Sequence, residues 1–156
     1  MKAWAIGDQT GLDSLKLIER DSPIAGHGQA VLAVKACSLN HRDLMIVRNR
    51  YGGPKPETQI PLSDVAAEVI SIGEGVSNVK PGDKVGATHF TGWIDGDWVP
   101  GYLGHDLGNS TDGVLAERVA VPAHCLFHLP SNLTDEENAT LPVAGATVWS
   151  CVQKLG

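Results

Sequence analysis

Apolar residues fall in short runs along the first 130 residues, and glycine and proline separate most of these runs from one another. Short apolar runs bounded by turn-forming residues are typical of β-strands. Within one run, Lys35 falls on the opposite face from Leu32 and Val34, as in a half-buried strand. The pattern favours a mainly β, barrel-like sheet. It predicts seven strands: Lys2–Ile6, Leu15–Glu19, Ala30–Ser38, Val65–Ile72, Lys84–Thr88, Ala116–Val121 and Cys125–Leu129.

Three segments carry the signals of a helix start. Asn40 is a favourable N-cap, and Asp43 stands at the third helical position after it. Thr134 and Glu137 have the spacing of a capping box. Pro142 suits the first turn of a third helix, which continues to the end of the chain. That helix carries apolar residues at intervals of three and four: Val148, Cys151, Val152 and Leu155.

The composition is that of a globular protein, with 42% hydrophobic and 19% charged residues. A net charge of −6 argues against nucleic acid or an anionic membrane as the main partner, because phosphate groups are bound by basic surfaces. There is neither a secretory apolar segment at the start nor a run of roughly 18 apolar residues. The three cysteines are widely spaced, which is typical of reduced thiols. We therefore expect a cytoplasmic protein.

Several motifs carry ligand-type residues without completing a site. Gly73-x-Gly75 precedes a strand instead of a helix, so it predicts a turn and not a nucleotide site. His124 and His128 share one face of a predicted edge strand while Cys125 points to the other. Residues 89–112 predict a long irregular loop, in which His89, His105 and Asp106 lack completing partners. The polar run from Asn40 to Asp43, taken alone, indicates a helix cap.

The order of several motifs resembles the medium-chain dehydrogenase/reductase superfamily from end to end. Ser38–Leu44 is similar to the family segment "G-x-N-x-x-D", and Ile60–Val69 to "P-x-x-D-x-A-G-x-V", with Ala67 in place of the usual glycine. Leu141–Trp149 is similar to "L-P-x-A-G-x-T-A-W". The remaining blocks stand in the family's order: Gly73–Val76, Lys80–Val85 and Asp112–Glu117.

The resemblance implies a GroES-like, partly open β-barrel with a few short helices. The catalytic, substrate-side domain would span residues 1–130. Residues 131–156 would be the helical start of a link towards a Rossmann domain, which we expect to be absent from this chain. On this expectation the chain is truncated and inactive by itself. It would associate through the exposed face where the second domain docks, with another protein or with a second copy.

The resemblance also implies that no zinc is bound. Zinc-binding family members have cysteine, histidine and cysteine at the positions of Asn40, Ser63 and Val143. An amide, a hydroxyl and an alkyl group do not replace thiolate and imidazole around a tetrahedral zinc ion. Residues 89–112 contain no cysteine, so they also lack the ligands of the family's structural zinc.

The implied function is hydride transfer between NAD or NADP and a carbonyl, enone, quinone or alcohol, with hydrogen bonds polarising the substrate oxygen. The catalytic candidates are Asn40, Asp43 and Tyr51. Asn40, His41 and Thr147 are the cofactor-binding candidates. The loop around Trp93 and Trp98 would form a pocket wall, or these aromatics would only pin the loop to the barrel.

A second hypothesis is a stand-alone β-barrel that binds a small ligand or a partner protein and catalyses nothing. The lack of a complete cofactor-binding fingerprint in the chain motivates it. Oxidation of NAD(P)H by the chain joined to a nucleotide-binding domain would favour the enzyme.

Overall fold

The computed structural model describes residues 1–93 and 95–155. Ile94, in the predicted long loop, and Gly156, at the end of the predicted linking segment, lie outside the described residues. The strands are β1 (Lys2–Ala5), β2 (Lys16–Glu19), β3 (Gln29–Ser38), β4 (Asp64–Ile72), β5 (Lys84–Ala87), β6 (Arg118–Pro122) and β7 (Leu126–His128). The helices are α1 (His41–Val47), α2 (Asp135–Ala139) and α3 (Ala146–Leu155).

Antiparallel pairing organises the strands into a mainly β domain. Five strands form one sheet in the order β6-β3-β4-β5-β7, and β1 pairs with β2 in a separate two-stranded sheet. β3 and β4 form the longest pairing, and its register shifts between Val31 and Leu32 and again between Val34 and Ala36. Shifts of this kind bend a strand and increase its twist. They also place Lys35 on the exposed side, where its ammonium lies 3.2 Å from the carboxylate of Glu68.

The seven predicted strands are all present, and their ends differ from the prediction by one or two residues. Ala116 precedes β6 because it forms an isolated bridge with Ala3. Cys125 precedes β7 because it belongs to a 3₁₀ turn, Ala123–Cys125. That turn exposes His124 and buries Cys125, so the two side chains do not converge.

The main hydrophobic core lies within the five-stranded sheet and under the segments that cross it. Its fully buried members include Leu32, Val65, Val69, Val85 and Val114. A second, smaller cluster joins α2 to the sheet through Ala66, Leu129 and Ala139. No helix in the described ranges is both long and apolar enough to cross a membrane.

The predicted helix starts at Asn40 and Thr134 are confirmed as the N-caps of α1 and α2. Pro142 does not begin a regular α-helix. Leu141–Gly145 forms a wider π-helical turn, and α3 follows directly at Ala146. Most of α3 is exposed, including the apolar side chains of Val148, Trp149 and Val152.

Candidate active site

A cleft of about 490 Å³ lies between the segment that follows β5 and the helical segment before and within α3. Its volume is within the range of roughly 300–1,000 Å³ that is usual for small-molecule sites. One wall consists of Thr88, His89, Phe90 and Trp93. The other wall consists of Pro142, Val143, Ala146, Thr147, Ser150 and Cys151.

Aromatic side chains give the first wall its shape. The rings of His89 and Phe90 lie 4.2 Å apart, and Trp93 follows at 6.3 Å from Phe90. Trp93 stacks on Tyr102 at 5.8 Å and donates to the carbonyl of Gly96, so the loop packs on itself. Trp98 is 44% exposed and does not line the cleft. Of the two tryptophans considered from the sequence, Trp93 therefore contributes to the wall.

Asn40 and Asp43 form a buried cap at the start of α1, directly after β3. The backbone N–H of Asn40 donates to Asp43 Oδ2 at 2.8 Å, and the N–H of Asp43 donates to the Asn40 carbonyl at 3.0 Å. The cap leaves two buried polar atoms, Asn40 Nδ2 and Asp43 Oδ1, with no hydrogen-bond partner among the described residues. Burial raises the pKa of Asp43, against the opposing effects of the Asn40 N–H and the charge of Arg42.

Asp106 connects α1 to the cleft. It accepts hydrogen bonds from Asn109 Nδ2 at 2.8 Å and from the hydroxyl of Ser110. Arg42 Nη1 on α1 lies 3.5 Å from Asp106 Oδ2, and His89 Nε2 in the cleft wall lies 3.8 Å from the same oxygen. Burial alone would raise the pKa of Asp106, but His89, Ser110 and Asn109 together hold it well below its usual range. Asp106 is therefore a buried carboxylate.

Asp64, the first residue of β4, connects the sheet to the opposite wall. Its Oδ1 accepts from the hydroxyl of Ser63 at 2.8 Å, and its Oδ2 accepts from the backbone N–H of Val143 at 3.2 Å. Zinc-binding family members have ligands at the positions of Asn40, Ser63 and Val143. In this chain, the Asp64 carboxylate accepts hydrogen bonds from two of these three positions, Ser63 and Val143. Asp64 also acts electrostatically on Asp43. Through Asp43, it belongs to the same polar cluster as Arg42 and Asp106.

The backbone before Ser63 is strained. Leu62 has φ +70°, a conformation that residues with a branched side chain rarely adopt. The irregular segment at Gly113 and Val114 holds it there through N–H groups that donate to the carbonyls of Ile60 at 2.7 Å and Leu62 at 3.1 Å. The strained turn places Ser63, which is fully buried, against Asp64.

No group of three His, Cys, Asp or Glu side chains suited to a metal ion occurs in residues 1–93 and 95–155. Burial raises the pKa of the Cys37 thiol to about 12, with a smaller contribution from Asp64. Burial also raises the pKa of Cys125 to about 12, so both cysteines are protonated thiols at neutral pH.

The structure places the site residues predicted from the sequence at different distances from the cleft. Thr147 lines it and donates its hydroxyl to the Val143 carbonyl at 2.6 Å. Asn40 and Asp43 belong to the buried cluster beneath it. His41 is exposed at the start of α1, and Tyr51 is 38% exposed after its end; neither lines the cleft.

From the sequence, His89 and Asp106 were considered but not assigned to a site, because neither had a completing partner nearby. The two stand far apart in an irregular segment, where no periodicity indicates which side chains meet. The one available signal is their chemistry, since a histidine and an aspartate both occur in the loop between β5 and β6.

Three comparisons bear on this arrangement. A family model described as the alcohol dehydrogenase GroES-like domain matches residues 26–131. A zinc-type alcohol dehydrogenase-like protein of Schizosaccharomyces pombe is 37% identical over 142 residues, which cover 90% of this chain and 41% of that protein. A chloroplastic quinone-oxidoreductase of Triphysaria versicolor is 33% identical over 149 residues, which cover 94% of this chain and 40% of that protein.

Solved structures share the fold. The crystal structure of an NAD-dependent alcohol dehydrogenase superposes with a TM-score of 0.87 at 28% identity, covering 100% of this chain and 48% of that one. The chain spans about 40% of the length of the two curated relatives above.

Proposed function

Because the chain belongs to the medium-chain dehydrogenase/reductase superfamily through its alcohol dehydrogenase GroES-like domain, we propose that it is the catalytic-domain portion of an NAD(P)-dependent oxidoreductase. Its reaction is hydride transfer between the nicotinamide and a carbonyl, enone, quinone or alcohol. The observation that carries the proposal is the aromatic-walled cleft above a buried cluster of polar groups. Preorganised polar groups next to a cleft are suited to stabilise charge that develops on a substrate oxygen.

The α3 side of the cleft would hold the cofactor. When bound, the nicotinamide supplies or accepts the hydride. Thr147 is the cofactor-binding candidate in the cleft wall, and His41 is an exposed imidazole available to a ribose or a phosphate. The Nδ2 of Asn40 is a buried donor without a partner in the described part of the chain, so an oxygen of the nicotinamide or of the substrate would satisfy it. We propose Asn40 as a catalytic and cofactor-binding residue on this basis.

We further propose that the reaction needs no zinc. The name of the Schizosaccharomyces pombe relative includes the term zinc-type, whereas the groups at Asn40, Ser63 and Val143 do not suit zinc. Hydrogen bonds from protein groups then replace a Lewis acid. The cleft lining, largely apolar and aromatic on one side, favours enones, quinones and aromatic alcohols over strongly polar substrates.

The test is NAD(P)H oxidation by two forms of the protein. One is the chain by itself, and the other is the chain fused after Gly156 to the part of the Schizosaccharomyces pombe relative that this chain does not cover. Each form is assayed with NADH and NADPH against a panel of ketones, enones and quinones. We expect turnover that survives treatment with a chelator, and we expect Asn40→Ala to lower it by about tenfold or more, as for the loss of one preorganised donor.

Two results would contradict the proposal. Activity that a chelator abolishes and added zinc restores would refute the zinc-free reaction. Binding of a quinone in the cleft with no NAD(P)H oxidation by either form would favour the alternative, a non-catalytic ligand-binding barrel. Thr88→Ala serves as a matched control, since this residue lines the same cleft but its hydroxyl is bonded to the Phe90 carbonyl.

A further inference from the structure

We propose that His89 is the residue that exchanges the proton with the substrate oxygen in the cleft, and that Asp106 positions it. The inference rests on the proposed function and names a catalytic residue for it. His89 and Asp106 belong to no motif that the sequence singles out as a site.

The position of His89 in the cleft wall supports this role. His89 lines the cleft, and its side chain is 17% exposed. Its Nε2 is buried without a hydrogen-bond partner in the described ranges and lies 3.8 Å from Asp106 Oδ2. A movement of less than about 1 Å would bring the two atoms to hydrogen-bond distance. The exposed remainder of the ring borders the cavity where a substrate would bind.

The charge and the fixed position of Asp106 also support it. Its side chain is 4% exposed, and Asn109, Ser110 and Arg42 surround its two oxygens. Arg42 is itself fixed, since its Nη2 donates to the Leu107 carbonyl at 2.6 Å. A fixed carboxylate beside Nε2 favours the tautomer that carries its proton there. Nδ1 is then the ring atom that is left for the substrate.

The other histidines differ from His89 in their exposure and in their neighbours. All five of them are exposed, and none of them lies against a buried carboxylate in the described part of the chain. His124 Nε2 is already bonded to the Thr91 carbonyl at 2.7 Å. His105 lies on the same loop as Asp106 but is exposed to solvent. Only His89 combines a place in the cleft wall with a buried anionic neighbour.

The proton moves between His89 and the substrate oxygen. A bound nicotinamide would supply a hydride to the carbonyl carbon, and the electron pair of the C=O π bond would move to oxygen. The oxygen forms an O–H bond with the proton on Nδ1 of the His89 imidazolium, whose N–H bond breaks, and the imidazole is reprotonated from solvent. In alcohol oxidation the same atoms exchange the proton in the opposite direction. General acid–base catalysis of this kind contributes about 10²–10⁴-fold to a rate.

The test compares His89→Ala, Asp106→Asn and the control His105→Ala in whichever form of the protein turns over. We expect His89→Ala to lower kcat by about 10²-fold with a smaller effect on KM, and to regain activity when free imidazole is added. His105→Ala should behave as the wild type. A purely structural role of His89 would give no rescue by imidazole.

Nuclear magnetic resonance gives a readout that does not depend on turnover. Long-range ¹H–¹⁵N spectra of the 156-residue chain report the tautomer of each histidine ring. We expect the Nε2–H tautomer for His89, and its loss in Asp106→Asn, with the signals of His105 unchanged.

The outcomes separate the two proposals. Turnover by the wild type with full activity in His89→Ala would overturn the role of His89 and leave the proposed function intact. An Nδ1–H tautomer for His89 would overturn the role of Asp106. The absence of turnover with every substrate and both cofactors would refute the proposed function, and the proton-transfer role would be refuted with it.

Discussion

Asp43 and Asp106 are both almost fully buried aspartates, yet their surroundings act on them in opposite directions. Burial dominates at Asp43 and raises its pKa, because one cap N–H and the nearby Arg42 do not offset the loss of water. At Asp106, several donors outweigh the same burial and lower the pKa. The two aspartates differ in the number of groups that interact with the carboxylate and not in how deeply they are buried. It keeps Asp106 ionised beside His89.

Asp106 should stabilise the fold in a pH-dependent way. Its pKa is lower in the folded chain than in the unfolded chain, where it is about 3.9. The stabilisation is therefore present above about pH 4 and is lost as the pH falls through the folded-state value. We expect Asp106→Asn to lower the free energy of unfolding by on the order of 2 kcal/mol at neutral pH. Urea unfolding across the acid range measures both the loss and its pH dependence.

Glu57→Gln is the matched control for Asp106→Asn. Glu57 pairs with Lys16 at 3.5 Å, and both side chains are more than half exposed. Removing an exposed pair changes stability by less than about 1 kcal/mol. A constant difference between Asp106→Asn and the wild type at all pH values would contradict the assignment of a buried carboxylate.

At the scale of elements, the strands were predictable because their pattern is local. Alternation in β3 and turn residues around β4 and β5 predicted seven strands with small errors at the ends. The errors have structural reasons, since Ala116 bridges to Ala3 and Cys125 lies in a 3₁₀ turn. The π-helical turn before α3 was not predictable. Long-range contacts hold it, including the bond from the Val143 N–H to Asp64 at the start of β4.

Gly113 should be essential for the packing of the segment that precedes β4. A Cβ atom at Gly113 would lie 2.0 Å from the Leu62 carbonyl oxygen and 2.3 Å from that of Pro61. Both contacts involve backbone, which cannot move without releasing the strained turn at Leu62. We expect Gly113→Ala to lower the free energy of unfolding by about 3 kcal/mol or more. Thermal melts and near-ultraviolet circular dichroism measure the change.

Gly101→Ala is the control for crowding. Gly101 lies in the 3₁₀ turn Pro100–Tyr102, where an added Cβ atom would meet no heavy atom of the described residues within 4 Å. The stability of this variant should stay within about 0.5 kcal/mol of the wild type. Equal melting temperatures for Gly113→Ala and Gly101→Ala would contradict the close approach of Gly113 to the backbone of Pro61 and Leu62.

At the scale of the whole molecule, the two cores anchor the sheet and α2 but not α3. The buried residues of both clusters come from the strands, the crossing segments and α2. The described side chains of α3 are exposed, and the helix packs mainly on the turn that precedes it. One wall of the cleft is thus formed in part by a helix whose described side chains are all exposed.

We expect α3 to open more readily than the sheet. Local unfolding requires little free energy where few apolar groups are buried. Amide hydrogen exchange followed by mass spectrometry should show weak protection across Ala146–Leu155 and strong protection in β3 and β4. A ligand that fills the cleft should raise the protection of α3. Equal protection of α3 and β4 in the free protein would contradict this expectation.

The cytoplasmic location and the association of the chain with a partner or a second copy stay predictions. The exposed apolar side chains of α3 agree with the second of these, since they form a surface that another protein or another copy would cover. Sedimentation at several protein concentrations measures self-association.

The sequence by itself determined the fold class, the caps at Asn40 and Thr134, and the family, because these depend on local patterns and on motifs in a fixed order along the chain. Only the tertiary structure decided which polar side chains share one site. Arg42, Asp64, His89 and Asp106 come from α1, β4 and an irregular loop, and they meet because the sheet brings these segments together. Their interaction depends on burial and distance, which are properties of the folded chain and leave no periodic signal in the order of residues.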